Sequence, residues 1–356
     1  MSRALYVHIP FCASICAYCD FCRVKYHNGL ADRYLNALEN ELGRITDPHF
    51  HTVYIGGGTP SALSLKQLEK LFRMLAPYLH DATEITIEVN PETLDEEKAA
   101  LFERAGINRV SLGVQSFQQR LLDICERRHT KADVLNALTL LRKAGIHNIS
   151  LDFIYGLPTQ KKEEFLDDMA QAVKCGVPHL SFYMLTIEEH SAFGRRGIKP
   201  QDEEESDEMC FEAIEYLKEN GFHQYEISNF ALKGYESEHN KIYWRYEDYE
   251  GVGLGASGKV GSIRYTNTGN FAAYFEGKWR AEEVTLQQKD LYFETVMMGL
   301  RLKDGVVLDP NITSYYREVI GSLKEKGLLT ETGGRLACTE QGYYILNDIL
   351  LEFLED

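Results

Sequence analysis

The run Leu5-Tyr6-Val7-His8-Ile9-Pro10-Phe11-Cys12-Ala13-Ser14-Ile15-Cys16-Ala17-Tyr18-Cys19 decides how this chain is read. Three cysteines fall within eight residues, three and then two residues apart, so one short loop can wrap its thiolates around a single metal centre. Thiolates are the usual ligands of iron–sulfur clusters and of zinc. A [4Fe–4S] cube normally takes four protein thiolates, so three from one loop leave one iron open to a small molecule. Cys22 offers a fourth thiolate and with it a closed zinc site, but no second C-x2-C pair follows at zinc-finger distance. The apolar run 5–9, closed by Pro10, predicts a strand that delivers the cysteines at its end, where β/α barrels keep their chemistry.

Working outward, the pattern predicts strands over 5–9, 52–55, 84–89, 109–114, 148–154 and 179–184. Between them lie amphipathic helices over 30–45, 65–79, 95–105, 131–144 and 163–174, with apolar residues at three and four (Leu68, Leu71, Phe72, Leu75) and glycine stops at Gly106, Gly145 and Gly176. Such alternation implies an α/β fold with a parallel sheet, doubly wound or barrel-like. Polar groups gather at the predicted strand ends. Gly56-Gly57-Gly58-Thr59-Pro60 lets backbone approach a ligand closely, although a glycine run also marks a plain turn. Glu88 ends the third strand and Gln115 the fourth, with Arg127 beyond it. Asp152 interrupts an apolar strand and is costly to bury without a partner.

The 356 residues suffice for one barrel-sized core and an appended domain. A net charge of −16 disfavours binding to nucleic acid, and no apolar run reaches the roughly 20 residues of a membrane helix. Eight cysteines with no secretory leader read as reduced thiols, which predicts a cytoplasmic protein. Cys125, Cys175, Cys210 and Cys338 are scattered and read as small core residues.

The Cys12-x3-Cys16-x2-Cys19 motif, with Tyr18 before its last cysteine, resembles the signature of radical S-adenosylmethionine (SAM) enzymes. The preceding Tyr6-Val-His-Ile-Pro-Phe-Cys12 narrows the likeness to the oxygen-independent coproporphyrinogen III oxidase branch and, within it, to haem chaperones. The resemblance implies a partial (β/α)6 barrel. It also implies that Cys12, Cys16 and Cys19 hold a [4Fe–4S] cluster whose fourth iron is chelated by SAM. SAM contacts then carry over to Tyr6, Gly56, Gly57, Gly58, Thr59, Glu88, Gln115, Arg127 and Asp152, and less directly to Tyr18 and Thr186 near the adenine. Arg127 would meet the SAM carboxylate and Asp152 the ribose.

Beyond Thr186 the acidic run Asp202–Glu208 reads as a solvated helix start. His239-Asn240-Lys-Ile-Tyr243-Trp244 resembles the HNxxYW signature of the haem-chaperone branch. Read on its residues alone it is a packed segment closing the barrel; read functionally it is a porphyrin contact with His239 as an iron ligand. Gly251-Val-Gly-Leu-Gly-Ala-Ser-Gly258 lacks the unit a dinucleotide fingerprint needs and reads as a backbone-close segment beside the cofactor. Helices over 287–301, 314–326 and 341–353, with a hairpin over 328–337, predict a C-terminal α+β unit of winged-helix shape, expected as a lid or substrate-side domain. The expected organisation is therefore 1–200 barrel, 201–285 barrel-closing extension, and 286–356 C-terminal domain.

The resemblance implies a haem chaperone that binds a [4Fe–4S] cluster, SAM and haem as cargo. It would draw on a reductant protein and pass haem to haem-dependent partners such as respiratory-chain components. The alternative is an oxidoreductase, the oxygen-independent coproporphyrinogen III dehydrogenase, with a porphyrinogen as substrate. Two features favour the chaperone: only five residues precede Tyr6, and Asp20 stands where those oxidases carry a fourth cysteine. Cys22, one position further on than expected, is left either as a spare thiol or as a ligand to the fourth iron when SAM is absent.

Overall fold

The computed structural model describes residues 3–354. Strands β1 (Arg3–Ile9), β2 (Thr52–Gly57), β3 (Glu84–Val89), β4 (Arg109–Gln115), β5 (Asn148–Tyr155) and β6 (His179–Met184) lie side by side in that order, each parallel to the next. Helices α1 (Asn28–Leu42), α2 (Leu65–Leu79), α3 (Glu96–Arg104), α4 (Gln119–Ile124), α5 (Lys131–Lys143) and α6 (Lys162–Lys174) connect them. The predicted α/β barrel half is present, with its elements within a few residues of expectation.

Capping chemistry sets the small differences. The His27 ring accepts from Leu30 N–H, which starts α1 before the predicted Leu30, and Gly43 ends it before Ile45. Ser64 and Gln67 form a capping box at the start of α2, and Thr130 with Asp133 does so at α5.

Successive side chains of a strand face opposite ways. Leu5, Val7 and Ile9 of β1, Val53 and Ile55 of β2, and Ile85 and Ile87 of β3 face the helices and join Leu35, Leu38, Leu68 and Leu71 in one buried core. Each such buried side chain contributes about 1.5–3 kcal/mol. The alternate positions carry Tyr6, His8, Tyr54, Thr86, Glu88, Ser111, Ser150, Asp152 and Ser181. The inner face of the sheet is therefore polar, and it walls a cavity where an all-apolar barrel would be filled.

The stretch 201–285, expected as a barrel-closing extension, adds to the barrel core. Its helix α8 (Glu203–Glu219, counting the short α7, Ala192–Arg195, before it), its strands and the short helix Phe271–Phe275 contribute Met209, Leu217, Phe230, Val252 and Tyr274 to the barrel core. Strand β8 (Asn229–Ala231) pairs antiparallel to β6, and β7 (His223–Glu226) pairs antiparallel to β8 at the sheet edge. At the other edge β9 (Asp248–Val252) pairs parallel to β1, followed by β10 (Ser257–Val260), β11 (Ile263–Asn267) and β12 (Arg280–Thr285), giving a 12-stranded sheet. The glycine-rich 251–258 run is thus part of β9 and its turn, behind the cysteine loop.

From Gln288 a second core forms around Val296, Leu300, Ile320, Leu336 and Ile349, under a three-stranded sheet of Val306–Val307, Leu329–Thr332 and Arg335–Cys338. Two helices predicted as single are each split. Tyr316 (φ −100°, ψ 20°) divides Pro310–Tyr315 from Arg317–Glu325, and Ile345 (φ −113°, ψ 33°) divides Glu340–Tyr344 from Leu346–Leu351. This unit docks on the β7 edge, where Lys303 N–H donates to Tyr225 O at 3.0 Å and Leu302 bridges antiparallel to Glu226. Among the described residues no helix is long and apolar enough to cross a membrane.

Candidate functional site

Pro10 ends β1, and the chain then makes the loop that carries the cysteines. Residues Phe11–Cys12 pair with Val24–Lys25 and close it. Val24 N–H donates to Pro10 O at 2.7 Å and Tyr26 N–H to Cys12 O at 2.8 Å. The glycine loop locks onto the same segment: Gly58 N–H donates to Ile9 O at 2.9 Å and Thr59 N–H to Phe11 O at 2.8 Å. A Cβ on Gly58 would stand 2.9 Å from the Phe11 backbone, and Gly57 sits at φ +110° with the His8 ring 2.5 Å from where its Cβ would be. Only glycine fits at either place.

These two loops and the ends of β3 to β6 surround an open cavity of about 470 Å³. Cys12, Cys16 and Cys19 all line it, as do Tyr18 and Thr186. Gly57, Gly58 and Thr59 line it from β2; Glu88, Gln115, Arg127 and Asp152 line it from the later strands and loops. Tyr6 and Gly56 stand behind that wall: Tyr6 packs on Tyr54 and bonds the His8 ring at 2.9 Å. Cys22 turns away, its sulfur against Gly255 and Gly269. Among the described residues no three His, Cys, Asp or Glu side chains form a preassembled metal-ion cluster.

The cavity is electrostatically loaded. Burial pushes the Cys12 thiol up to about 11 and raises Cys19 as well. Bound iron would reverse this, because a coordinating thiol is deprotonated. Arg127 stands beside Cys16, with Nη1 3.5 Å from its sulfur, while Nη2 donates to Gly113 O at 2.6 Å and Asn90 Oδ1 at 3.1 Å. The Arg127 Nε is buried with no partner. A cationic donor left unsatisfied beside the Cys16 thiol, in a cavity that Cys12 and Cys19 also line, suits an anionic group, and this chain therefore fits an iron–sulfur cluster with a carboxylate-bearing ligand.

Burial pushes Glu88 up to about 7, although it accepts the Tyr54 hydroxyl and Gly57 N–H. Asp152 does not wait for an outside partner: Ser111 and Ser150 hydroxyls donate to it, the latter at 2.8 Å, and burial still raises it. Sequence reasoning passed over Tyr54, Asn90 and Ser111, which complete the wall. Their period-two placement opposite the helix-facing residues was the available signal.

The His239 group is elsewhere. It lies on α9 (Glu238–Trp244), whose N-terminus rests on Glu84: His239 N–H donates to Glu84 Oε1 at 2.9 Å. The His239 ring is 1% exposed, with Nδ1 2.8 Å from the Thr52 hydroxyl and Nε2 2.7 Å from the Tyr243 hydroxyl. Thr52 begins β2, so this histidine plugs the barrel end opposite the cysteines. His239, Asn240, Tyr243 and Trp244 do not line the cavity, and neither ring nitrogen is free for iron. Among the described residues none beyond Glu188 lines the cavity, so the C-terminal unit contributes no side chain to it.

Residues 6–172 match the radical SAM superfamily model, and residues 286–345 match the HemN C-terminal domain model. The chain is 37% identical to the Heme chaperone HemW of Lactococcus lactis, covering 99% of this chain and 98% of that protein. It is 36% identical to that of Bacillus subtilis, covering 99% of each, and 34% identical to that of Escherichia coli, covering 99% and 98%. Coproporphyrinogen III oxidase (HemN) from Escherichia coli superimposes with a TM-score of 0.84 at 24% identity, over 99% of this chain and 90% of that one, a likeness of fold. The family implies a [4Fe–4S] cluster and SAM. The chain belongs to the HemW family of the radical SAM superfamily, with a HemN-type C-terminal domain.

Proposed function

We propose that this protein is a cytoplasmic haem chaperone: it binds a [4Fe–4S] cluster through Cys12, Cys16 and Cys19, binds SAM in the adjoining cavity, and carries haem to haem-dependent proteins such as respiratory-chain components. The single observation that supports the cofactor reading is the division among four neighbouring cysteines, three facing the cavity and Cys22 facing Gly255. Three thiolates leave one iron corner for a ligand from the cavity. When bound and reduced by a partner protein, the cluster would supply an electron to SAM.

The chain's own groups have distinct tasks. Glu88, poised near neutrality, receives the ligand ammonium beside the Gly57 and Gly58 backbone. Arg127 takes the carboxylate through its unpartnered Nε. Asp152 and Gln115 meet the ribose, while Tyr18 and Thr186 border the adenine. The haem reading is supported by the relatives of full length; the buried ring of His239 directs the search for the iron ligand away from that residue.

Anaerobic protein reconstituted with iron and sulfide is titrated with haem, and separately with coproporphyrinogen III, in the presence of SAM and a reductant. Stoichiometric haem binding, and transfer to an apo haem protein with no decarboxylated product, is the expected result. Turnover of coproporphyrinogen III would make the chain an oxidoreductase instead.

A further inference from the structure

Asp168 belongs to none of the cavity motifs, yet it is a carboxylate with no exposed surface, on the inner face of α6 among Phe165, Met169 and Ala172. Its partners are neutral donors from one short turn. The Ser116 hydroxyl donates to Oδ2 at 2.5 Å, Phe117 N–H to Oδ1 at 2.8 Å, and the Gln118 amide to Oδ1 at 3.4 Å. Burial pushes the carboxyl up to about 7 in spite of those donors. So costly a group, held without a cation, calls for a role that a neutral side chain of the same shape would not fill.

The turn it grips is unusual. Ser116 N–H donates to Val114 O at 2.8 Å, closing a three-residue turn with Gln115 at its centre. Gln115 has φ +63°, a region that is rare and strained for a residue other than glycine. The register against β5 slips between Gly113 and Gln115 at the same point. The outcome is that the Gln115 side chain lines the cavity next to Gly113, whose carbonyl holds Arg127.

We propose that Asp168 is a positioning residue for SAM: its two oxygens pin Ser116 and Phe117, so that the strained turn keeps the Gln115 amide turned into the cavity. This rests on the reading of the cavity as the SAM site. The carboxylate offers one oxygen to a hydroxyl and the other to a backbone N–H. An asparagine has a single acceptor and leaves one donor unmet.

The test is a double-mutant cycle on the full chain with its cluster reconstituted, reading SAM affinity by calorimetry. Asp168→Asn should weaken SAM about tenfold, and Gln115→Ala at least as much. The double variant should be no weaker than Gln115→Ala alone, with the cluster absorption the same in all. A purely structural Asp168 would give losses that multiply, and that result, or an Asp168→Asn affinity within about twofold of wild type, overturns the proposal. If Asp168→Asn does not fold, Ser116→Ala replaces it: a loss of a few-fold, absent in the Gln115→Ala background, is expected, and a multiplying loss overturns the proposal. Failure of the wild-type protein to bind SAM would instead overturn the cavity reading itself.

Discussion

Glu88 joins the second and third strands of the barrel at the cavity wall: one carboxylate oxygen accepts Gly57 N–H at 2.9 Å and the other accepts the Tyr54 hydroxyl at 2.9 Å. A Cβ on Gly56 would stand 2.7 Å from both Tyr54 and Glu88, so the glycine loop is built around this carboxylate. The loop cannot be read as a simple turn, because its backbone is already partnered to a titratable group.

Burial holds Glu88 up at about 7, well above its ordinary value of 4.5. The folded state therefore binds the proton more tightly than the unfolded chain, and the associated stability is complete below about pH 4.5 and lost as pH rises through about 7. Glu88→Gln should flatten part of that decline; Glu226 and Asp168, which burial also raises to about 7, and Glu41 and Asp152, which burial raises as well, contribute to the rest. A ligand ammonium favours the ionised form. SAM binding should accordingly release a proton below pH 7, and affinity should fall by up to about tenfold per pH unit there. Calorimetry at several pH values checks both effects; equal slopes for wild type and Glu88→Gln would remove Glu88 from the binding site.

The cysteines separate by direction. Ala substitution at Cys12, Cys16 or Cys19 should abolish the reconstituted cluster absorption and most of the bound iron. Cys22→Ala should keep both, at a stability cost of about 1 kcal/mol or less for a half-buried thiol against Gly255. Iron and sulfide analysis decides the matter. Loss of the cluster in Cys22→Ala would mean that the loop refolds around four thiolates.

His239 is held by two hydrogen bonds, lies tilted against Tyr54 and edge-on to Tyr243, and burial lowers it to about 3. It stays neutral throughout the physiological range. His239→Ala should cost about 2–4 kcal/mol in unfolding free energy, because it opens a cavity and orphans the Thr52 and Tyr243 hydroxyls. The haem absorption spectrum of the folded fraction should be unchanged. A shifted Soret band with intact folding would restore His239 as an iron ligand.

The barrel was legible because its periods are unmixed: Leu68, Leu71, Phe72 and Leu75 repeat at helical spacing, and the helix-facing strand residues alternate with polar ones. The cysteines and the glycine loop were legible because spacing fixes their chemistry. Parallel pairing of Asp248–Val252 onto β1 was not legible, since it joins residues about 245 apart by register alone (Arg3 with Asp248). His239 misled for a related reason. Its ring is metal-competent in composition, and only the tertiary contacts with Thr52 and Tyr54 show it buried at the far end. In sequence Asp168 is one more acid of the run Glu163-Glu164-Phe165-Leu166-Asp167-Asp168; helical phase puts it on the Phe165–Ala172 face, where charge is costly.

Gln115 offers a way to separate strain from recognition. Both Gln115→Ala and Gln115→Gly delete the amide, so both should lose SAM affinity to the same extent. They differ at the backbone: alanine keeps the strain of φ +63°, whereas glycine adopts that conformation freely. Gln115→Gly should thus be more stable than Gln115→Ala by about 1 kcal/mol, the reverse of the order in an ordinary strand, where glycine weakens the element. Urea unfolding of the two variants side by side measures this. A more stable alanine variant would mean that the turn relaxes in solution, and the Gln115 amide would then not be held at the cavity by backbone geometry.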